Sequence, residues 1–257
     1  MSDKIIEKDR YNQKSQKLIE TTKVSNKELL LLDTDNFEEY LRKPYKKYHE
    51  LISHFAQKGV KQLDLCCGNG MHSFTAAKKG ASVIALDYAE KSIEIAKRRS
   101  ELVGVAVDFR VCDVENLPFE DGLFDIVTCA GSLSYLDHKK FFSEIVRVLK
   151  PGGVFICIDS YNHNFIYRFN RFVHYLKNER SWSTLKRMPN SKTLKLLKQM
   201  FSEVEVEYFG IFTFLGPLIR RIHSARAAAR IIEFLDKCFR SQKKYSFKIV
   251  FYAKKNK

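Results

Sequence analysis

The chain has 257 residues, 45% of them hydrophobic, which suits one large globular domain better than two small ones. In its second half the longest uncharged apolar stretch, residues 208–219, has 12 residues and is interrupted by glycines and a proline. A bilayer-spanning helix needs about 20 residues, which excludes a crossing there. The net charge of +15 lies entirely in residues 161–257, with 21 Lys or Arg against 6 Asp or Glu, whereas residues 1–160 carry 24 of each. This asymmetry predicts an acidic partner: an anionic substrate, nucleic acid or an anionic membrane surface.

The first 17 residues are polar and charged, without the apolar core of a secretion signal. The six cysteines show no C-x-x-C spacing, and five of them lie in or beside strand-like runs. Cysteines in such positions are usually small buried hydrophobic residues. We therefore expect reduced thiols, no metal site and a cytoplasmic location.

Up to about residue 50 the sequence is polar and helix-prone, and we predict an N-terminal helical cap over residues 1–50. Residues 51–160 then alternate between short Val- and Ile-rich runs and amphipathic patterns that end on glycine. The predicted strands are residues 60–66, 81–87, 105–113, 124–130 and 153–159, and the helical patterns are residues 71–80, 89–104 and 138–153. This alternation indicates an α/β, doubly wound, mostly parallel sheet covered on both faces.

The part beyond residue 160 continues the same chain of elements without an internal repeat or a low-complexity segment. We interpret the whole chain, residues 1–257, as one domain whose core is residues 51–160. The later elements are a basic helical segment over 161–190, a helix over 191–201, a strand over 203–210, a basic helical insertion over 211–244 and a strand over 245–255.

The sequence LDLCCGNG, residues 63–70, follows the first predicted strand. Gly68 and Gly70 permit a tight turn and a close backbone approach to a ligand, at the N-terminus of the next helix. Asp87 ends the second strand, where a carboxylate can accept both hydroxyls of a ribose, or cap the following helix. Asp113 ends the third strand, and ligands of such sheets bind at these carboxyl ends. The pattern predicts a nucleoside site.

Four motifs in order, LDLCCGNG, VIALD, CDVENLPFEDGLFDIVTC and RVLKPGG, resemble those of the class I S-adenosylmethionine-dependent methyltransferases, especially the group with the ubiquinone/menaquinone C-methyltransferases. The resemblance covers roughly residues 40–160 and implies that the core, residues 51–160, binds the cofactor. It implies S-adenosylmethionine as the cofactor and a seven-stranded, Rossmann-like methyltransferase fold with an antiparallel last strand. It also implies a cofactor site of Asp64, Cys66, Gly68 and Gly70 near the methionine part, Asp87 and Tyr88 near the ribose, Asp113 and Val114 against the adenine, and Cys129 and Ala130 beside the sulfonium.

Cys66 departs from the family pattern, which has glycine there, so the turn is D-x-C-x-G-x-G. Because cysteine is small, we expect the turn to adjust modestly, and we interpret Cys66 and Cys67 as packing residues. A dinucleotide fingerprint would need G-x-G-x-x-G, which Ser73 breaks, and the P-loop sequence G-K-[ST] is missing.

Residues 161–187 follow the fifth strand, at the position that faces the methyl group in this fold. Phe165, Phe169, Phe172 and Leu176 recur at helical spacing, which is typical of an amphipathic covering helix with a solvated polar face opposite. The alternative is an acceptor site, in which two arginines three residues apart grip an anion. The predicted acceptor residues are Tyr161, Asn162, Asn164, Arg168 and Arg171.

His163 is the predicted catalytic base, because the unperturbed pKa of histidine lies near neutral. His138 is its competitor, and we interpret His138 as a residue of the first turn of a helix. The insertion over 211–244 is basic and amphipathic, either a helix packed on the domain, a lid, or a contact with an anionic membrane surface.

We expect methyl transfer to a small-molecule or lipid-linked, anionic acceptor. Two alternatives remain open. The first is an RNA methyltransferase, which the same net charge favours, although no N/D-P-P-Y motif and no separate RNA-binding domain is present. The second is an S-adenosylmethionine-binding protein without catalysis.

Overall fold

The computed structural model describes residues 3–21, 29, 34–177 and 181–257. The predicted helical cap over 1–50 and the basic segment over 161–190 each include residues outside this part. The centre of the fold is a seven-stranded sheet of order β3-β2-β1-β4-β5-β7-β6. Neighbouring strands from β1 to β5 are parallel, and β7 is antiparallel to both β5 and β6. The strands are β1 (Lys61–Leu65), β2 (Ser82–Asp87), β3 (Asp108–Val111), β4 (Phe124–Ala130), β5 (Leu149–Ser160), β6 (Glu203–Phe209) and β7 (Lys248–Lys254). The predicted doubly wound α/β fold is thereby confirmed.

The described residues form ten α-helices and four short 3-10 helices. Most of the later helices begin at a polar side chain that accepts a backbone N–H of the first turn, as Asp137, Asn164 and Ser224 do. The helices are α1 (Asp3–Thr21), α2 (Glu39–Phe55), α3 (Phe74–Ala77), α4 (Glu90–Val103), α5 (His138–Val148), α6 (Phe165–Leu176), α7 (Trp182–Lys186), α8 (Ser191–Met200), α9 (Gly216–Ile219) and α10 (Ala225–Cys238).

Alternate residues of the central strands fill two apolar layers, one on each face of the sheet. In β5, Phe155 and Cys157 join the layer under α5 and α8, while Ile156 and Ile158 join the layer under α2. Strands buried on both faces must be apolar almost throughout, which is why they were recognisable in the sequence.

Some boundaries differ from the predicted ones. The pattern over 71–80 forms only one helical turn, α3, and the 211–244 insertion contains α9 and α10 rather than one long helix. The division predicted at residue 50 falls inside α2, whose Tyr48 and Ile52 are fully buried against the sheet. Among the described residues, no helix has the length and apolarity that a bilayer crossing requires.

Candidate cofactor and acceptor site

The turn after β1 has an unusual backbone, because Cys66, Gly68 and Gly70 all have positive φ, at 55°, 53° and 76°. A side chain at Gly70 would lie 3.0 Å from the Phe109 ring, whereas nothing lies within 4 Å of a Cβ added at Gly68. The turn therefore packs closely against β3 at one glycine and leaves open space at the other. Open space at Gly68 lets a ligand approach the backbone of the turn closely.

Asp87, at the end of β2, holds this turn in place. Its carboxylate accepts the backbone N–H of Gly68 at 2.8 Å and that of Ala89 at 2.9 Å. Burial raises the pKa of Asp87, against the opposing effect of these N–H groups. The N-cap residue of α4 is Ala89, which provides no side-chain cap, so Asp87 bridges two loops instead of serving as the N-cap residue. A carboxylate has about four lone-pair sites, so Asp87 has capacity for a further hydrogen bond beyond its backbone donors.

Asp64 lies beneath the turn, only 2% exposed, in a polar network that sequence reasoning missed. The Ser73 hydroxyl donates to it at 2.6 Å and the Thr128 hydroxyl at 2.7 Å, and Thr128 in turn accepts from the Gln62 amide at 2.8 Å. Burial raises the pKa of Asp64 to about 6, although both hydroxyl donors oppose the shift. Asp64 therefore positions the turn from below.

Three free thiols form a row along the carboxyl ends of adjacent strands: Cys66 after β1, Cys129 in β4 and Cys157 in β5. Cys129 and Cys157 are paired in strand register, and Cys66 interacts with Cys129. The pKa of the Cys66 thiol is raised by its contact with Cys129 and by burial, which keeps it protonated. Among the described residues, no group of three or more His, Cys, Asp or Glu side chains is arranged to hold a metal ion.

Cys66 is the only residue other than glycine with positive φ among the described residues. Its backbone is therefore strained, and the strain can be tested by substitution. A left-handed conformation costs a residue with a side chain about 1–2 kcal/mol. We expect Cys66→Gly to be more stable than Cys66→Ala by about 1 kcal/mol, because glycine removes the strain. At Cys67, where φ is not positive, the order should reverse by about 0.5–1 kcal/mol. Urea unfolding of the four variants measures both differences, and the same order at both positions would contradict the assigned strain.

The next two strand ends complete the edge. After β3, the Asp113 carboxylate accepts the N–H of Glu115 at 3.0 Å, and Val114 is buried. After β4, Cys129 is buried, while Ala130 is partly exposed and is followed by Gly131 with a φ of 70°. The fold thus brings the predicted cofactor residues to one edge of the sheet, but their contacts with the cofactor stay a prediction.

Helix α1 lies across this edge, a contact that the sequence did not indicate. Arg10 donates to the hydroxyl of Tyr135, in the loop after β4, at 3.1 Å. Near the other end of the edge, Lys8 lies 4.6 Å from the ring centroid of Tyr88 and 2.5 Å from the Glu90 carboxylate. The helix therefore bridges the loops that follow β2 and β4, and covers the edge between them.

A buried histidine pair lies behind the turn. His72 Nδ1 lies 2.9 Å from His49 Nε2, and the Tyr45 ring stacks on His72 at 5.8 Å. Burial, together with the neighbouring His49, lowers the pKa of His72 to about 3, so this histidine is neutral at pH 7. The pair ties α2 to the glycine turn.

His163 is engaged in a way that does not favour the predicted base. Its Nε2 accepts the backbone N–H of Ser191 at 3.0 Å, so in the neutral ring Nδ1 carries the proton and no lone pair is free. Burial and the charges of Arg168 and Lys244 lower its pKa. His138 is the first residue of α5, as interpreted from the sequence, and its Nε2 lies 2.9 Å from the Leu133 carbonyl.

Two of the predicted acceptor residues have structural partners instead. Tyr161 is 3% exposed and packs edge-on against Tyr208. Asn164 is buried, accepts the N–H of Ile166 as the N-cap of α6, and donates to the carbonyl of Tyr245 at 3.0 Å. These contacts fix the loop between β5 and α6.

Helix α6 is oriented opposite to the covering-helix interpretation, which is therefore wrong. Its Phe side is exposed, while Tyr167 and Arg171 are buried on the side that faces the protein. Arg171 donates to the side-chain oxygen of Asn162 at 3.3 Å, and Tyr167 to the carbonyl of Gly210 at 3.2 Å. Arg171 is thus not part of a solvated polar face.

An open groove of about 610 Å³ lies between α6 and α7. It brings together three of the five predicted acceptor residues, and its remaining walls are apolar except for one lysine. The lining residues are Asn162, Arg168, Arg171, Phe165, Phe169, Phe172, Trp182, Leu185 and Lys186.

Comparison with known proteins agrees with this architecture. A family model described as a methyltransferase domain matches residues 63–157. The demethylmenaquinone methyltransferase of Lactococcus lactis is 33% identical over 171 residues, covering 58% of this chain and 68% of that protein. A phthiotriol/phenolphthiotriol dimycocerosates methyltransferase of Mycobacterium ulcerans is 37% identical over 115 residues, covering 44% of this chain but only 42% of that enzyme.

A similar fold occurs in the phosphoethanolamine N-methyltransferase 2 of Haemonchus contortus, solved with S-adenosylmethionine, with a TM-score of 0.61. The match covers 95% of this chain and 60% of that one at 19% identity, which supports the fold alone. The family assignment depends instead on the sequence match to the Lactococcus enzyme together with the family model. On these grounds the chain belongs to the class I S-adenosylmethionine-dependent methyltransferases, and S-adenosylmethionine is its cofactor.

Proposed function

We propose that the protein methylates a small-molecule or lipid-linked acceptor that carries an anionic group and an apolar part. The observation that supports this most directly is the groove between α6 and α7, where Arg168 and Arg171 stand among aromatic side chains. The groove follows β5, so it lies beyond the same edge of the sheet as the cofactor turn. Relatives named for demethylmenaquinone and for a mycobacterial dimycocerosate lipid agree with an acceptor of this class.

The residues of the sheet edge fit S-adenosylmethionine. The open space at Gly68 and Gly131 leaves room beside the backbone, and no Lys or Arg lies in the turn, as suits a cofactor without phosphate. In this proposal the free lone pairs of Asp87 accept the ribose hydroxyls, while Asp64 holds the turn from beneath. The other proposed contacts are Cys66, Gly68 and Gly70 near the methionine part, Tyr88 beside the ribose, Asp113 and Val114 at the adenine, and Cys129 and Ala130 near the sulfonium.

The bound cofactor supplies an electrophilic methyl group on its sulfonium. The protein then has to align the acceptor with that methyl group and exclude water, because alignment supplies much of the acceleration of a two-substrate reaction. Covering of the edge by α1, through Arg10 and Tyr135, serves the exclusion of water. His163 serves as a positioning residue in this proposal, because its Nε2 already accepts the Ser191 N–H.

Arginine suits the proposed acceptor because its planar guanidinium can give two hydrogen bonds to one phosphate or carboxylate. Both arginines line the groove: Arg168 is exposed, while Arg171 is buried and donates to Asn162. In this proposal the exposed Arg168 can turn toward an incoming ligand, whereas Arg171 is oriented by its hydrogen bond to Asn162. We assign the initial capture of the anion to Arg168 and its final orientation to Arg171.

Arg168→Ala and Arg171→Ala are each expected to lower kcat/KM for the acceptor by about 10- to 100-fold, the cost of losing a charge-assisted hydrogen bond. The affinity for S-adenosylmethionine should stay unchanged, because neither residue lies at the cofactor turn. Transfer of label from S-adenosylmethionine into the organic-phase compounds of a cell extract measures the first quantity, and calorimetry the second. Mass spectrometry of the labelled product identifies the acceptor.

Arg226→Ala, at an exposed arginine of α10, is the matched control and should behave like the wild type. Wild-type turnover in both groove variants would remove the acceptor assignment. Loss of cofactor affinity in either variant would mean that the groove belongs to the cofactor pocket.

The positive charge of residues 161–257 also favours an RNA substrate as the second candidate. A gel-shift with bulk tRNA at physiological salt separates the two. Tight and salt-sensitive binding, followed by label in the RNA fraction, would support RNA methylation. The small-molecule proposal expects no label in the RNA fraction.

A further inference from the structure

We propose that the exposed apolar side of α6 and α7 docks the protein on an anionic lipid bilayer. The apolar face consists of Phe165, Phe169, Phe172, Leu176 and Trp182, which are 75%, 68%, 42%, 64% and 49% exposed. Four of these residues recur along α6 at i, i+4, i+7 and i+11, so they form one continuous stripe on the helix. A contiguous exposed apolar surface of this kind on a globular domain marks an interaction site.

The orientation of α6 is fixed by polar contacts, so exposure of the stripe is built into the fold. Asn164 caps the helix and donates to the carbonyl of Tyr245, while Tyr167 donates to the carbonyl of Gly210. Arg171 donates to Asn162 from the buried side. Rotating the helix to bury its Phe side would break all three interactions and expose Tyr167 while burying Arg168.

The charges around the apolar face select its partner. Residues 161–200 carry nine Lys or Arg and a single acidic residue, Glu179. Arg168, Lys177 and Lys186 are exposed beside the stripe, and the Lys186 ammonium lies 5.8 Å from the Trp182 ring centroid. Exposed aromatic residues flanked by Lys and Arg are the pattern of helices that lie in the interface of an anionic membrane.

A second copy of the chain fits this face less well. In a two-fold dimer the same patch meets itself, so the basic side chains of one copy would face those of the other. Phospholipid headgroups supply the opposite charge, and their acyl region accepts the Phe and Leu side chains. Charge complementarity therefore favours an anionic bilayer over a second copy as the partner of this face.

The insertion over 211–244, the membrane contact considered from the sequence, is a weaker candidate. Its exposed apolar residues Leu218, Ile222, Phe234 and Phe239 are spread over several short elements. Phe234 also adjoins Glu233, which pairs with Lys43. Four of the five residues of the apolar face lie on the single helix α6, and residues 161–177 include no Asp or Glu.

Trp182 makes the test specific, because it is the single tryptophan of the chain. Vesicles of phosphatidylcholine with roughly one-third phosphatidylglycerol should bind the protein, shift the tryptophan emission to the blue and protect it from acrylamide. Pure phosphatidylcholine vesicles should bind at least tenfold less, and about 0.5 M salt should weaken binding to the anionic vesicles, because it screens the lysines and arginines.

The paired variant Phe165→Ser/Phe169→Ser should lower binding to the anionic vesicles at least tenfold, as expected when two large apolar side chains no longer insert. The matched pair Leu218→Ser/Ile222→Ser should bind like the wild type. Both pairs change exposed side chains, and unaltered circular dichroism and S-adenosylmethionine affinity verify that each variant is folded. Phe165 and Phe169 also line the groove proposed for the acceptor, so the paired variant is judged by vesicle binding without acceptor and not by methyl transfer. Arg171→Ala, at a buried residue of the groove, separates the two roles, because it should lower turnover and leave vesicle binding unchanged.

Binding without a change in Trp182 emission would overturn the proposal, as would loss of binding in the Leu218→Ser/Ile222→Ser pair alone. Equal binding to neutral vesicles would refute the selection by charge. A dimer that dissociates in the Phe165→Ser/Phe169→Ser pair, observed by light scattering, together with no vesicle binding by the wild type, would assign the face to a second copy.

Discussion

Asp87→Asn is expected to weaken S-adenosylmethionine binding by about 1.5–3 kcal/mol, or roughly 10- to 150-fold in Kd. The carboxylate at the end of β2 holds the Gly68 and Ala89 N–H groups and is proposed to accept the ribose hydroxyls with its remaining lone pairs. Asparagine has one acceptor oxygen instead of two, so it cannot serve all of these donors at once. Calorimetric titration of the folded variant measures the change.

Asp121→Asn is the matched control, since this carboxylate is exposed and pairs only with Arg147 among the contacts described. The control should bind the cofactor like the wild type. An unchanged affinity in a folded Asp87→Asn variant would refute the ribose assignment, and with it the placement of the cofactor over β2.

Asp64→Asn is expected to stabilise the protein at pH 8, by up to about 3 kcal/mol relative to the wild type. Asp64 has a pKa of about 6 in the fold against an ordinary value of 3.8, because it is buried. The folded state therefore binds the proton more tightly than the unfolded state. Rising pH lowers the free energy of unfolding between these two values, and the full cost is present above pH 7. Asparagine cannot ionise, and its oxygen can still accept from Ser73 or Thr128.

Urea unfolding at pH 5 and pH 8 checks this difference, and the advantage of Asp64→Asn should grow by about 1–1.5 kcal/mol over that range. Asp125→Asn is the opposite control. Although burial raises the pKa of Asp125, the Lys150 ammonium and the Lys61 N–H lower it overall. Its carboxylate therefore stabilises the fold above its ordinary pKa, and Asp125→Asn should be less stable at both pH values. If the difference in free energy of unfolding between Asp64→Asn and the wild type is the same at pH 5 and pH 8, the pKa of this carboxyl is the same in the folded and unfolded states.

Ionisation of the Asp64 carboxyl also affects the turn that is proposed to bind the cofactor. Asp64 holds Ser73, which lies just beyond the glycine turn, so its two hydroxyl contacts fix the turn from beneath. A carboxamide keeps the shape of this network, which is why we expect the folded state to tolerate Asp64→Asn. If S-adenosylmethionine affinity is unchanged in Asp64→Asn, Asp64 acts by holding the shape of the turn. If the affinity falls, the negative charge of Asp64 contributes to binding.

The sequence by itself determined the sheet and the grouping of the cofactor residues. Apolar runs such as residues 82–87 can only be buried strands here, since helices follow them on both faces. Parallel strands with helical crossovers all end at the same edge, so Asp64, Asp87 and Asp113 had to come near one another. The glycines of the turn were informative for the same local reason, because positive φ selects for glycine.

Only the tertiary structure decided what the amphipathic helices face. The spacing of Phe165 to Leu176 places an apolar stripe on one side of α6. The spacing does not say whether that stripe faces the protein or the solvent, which depends on the contacts of the opposite side. Asn162, Gly210 and Tyr245, from distant parts of the chain, fix that side by hydrogen bonds. The same holds for α1, whose contact with Tyr135 spans 125 residues. Local periodicity records which residues share a face, whereas burial depends on hydrogen bonds and packing between segments that the sequence leaves far apart.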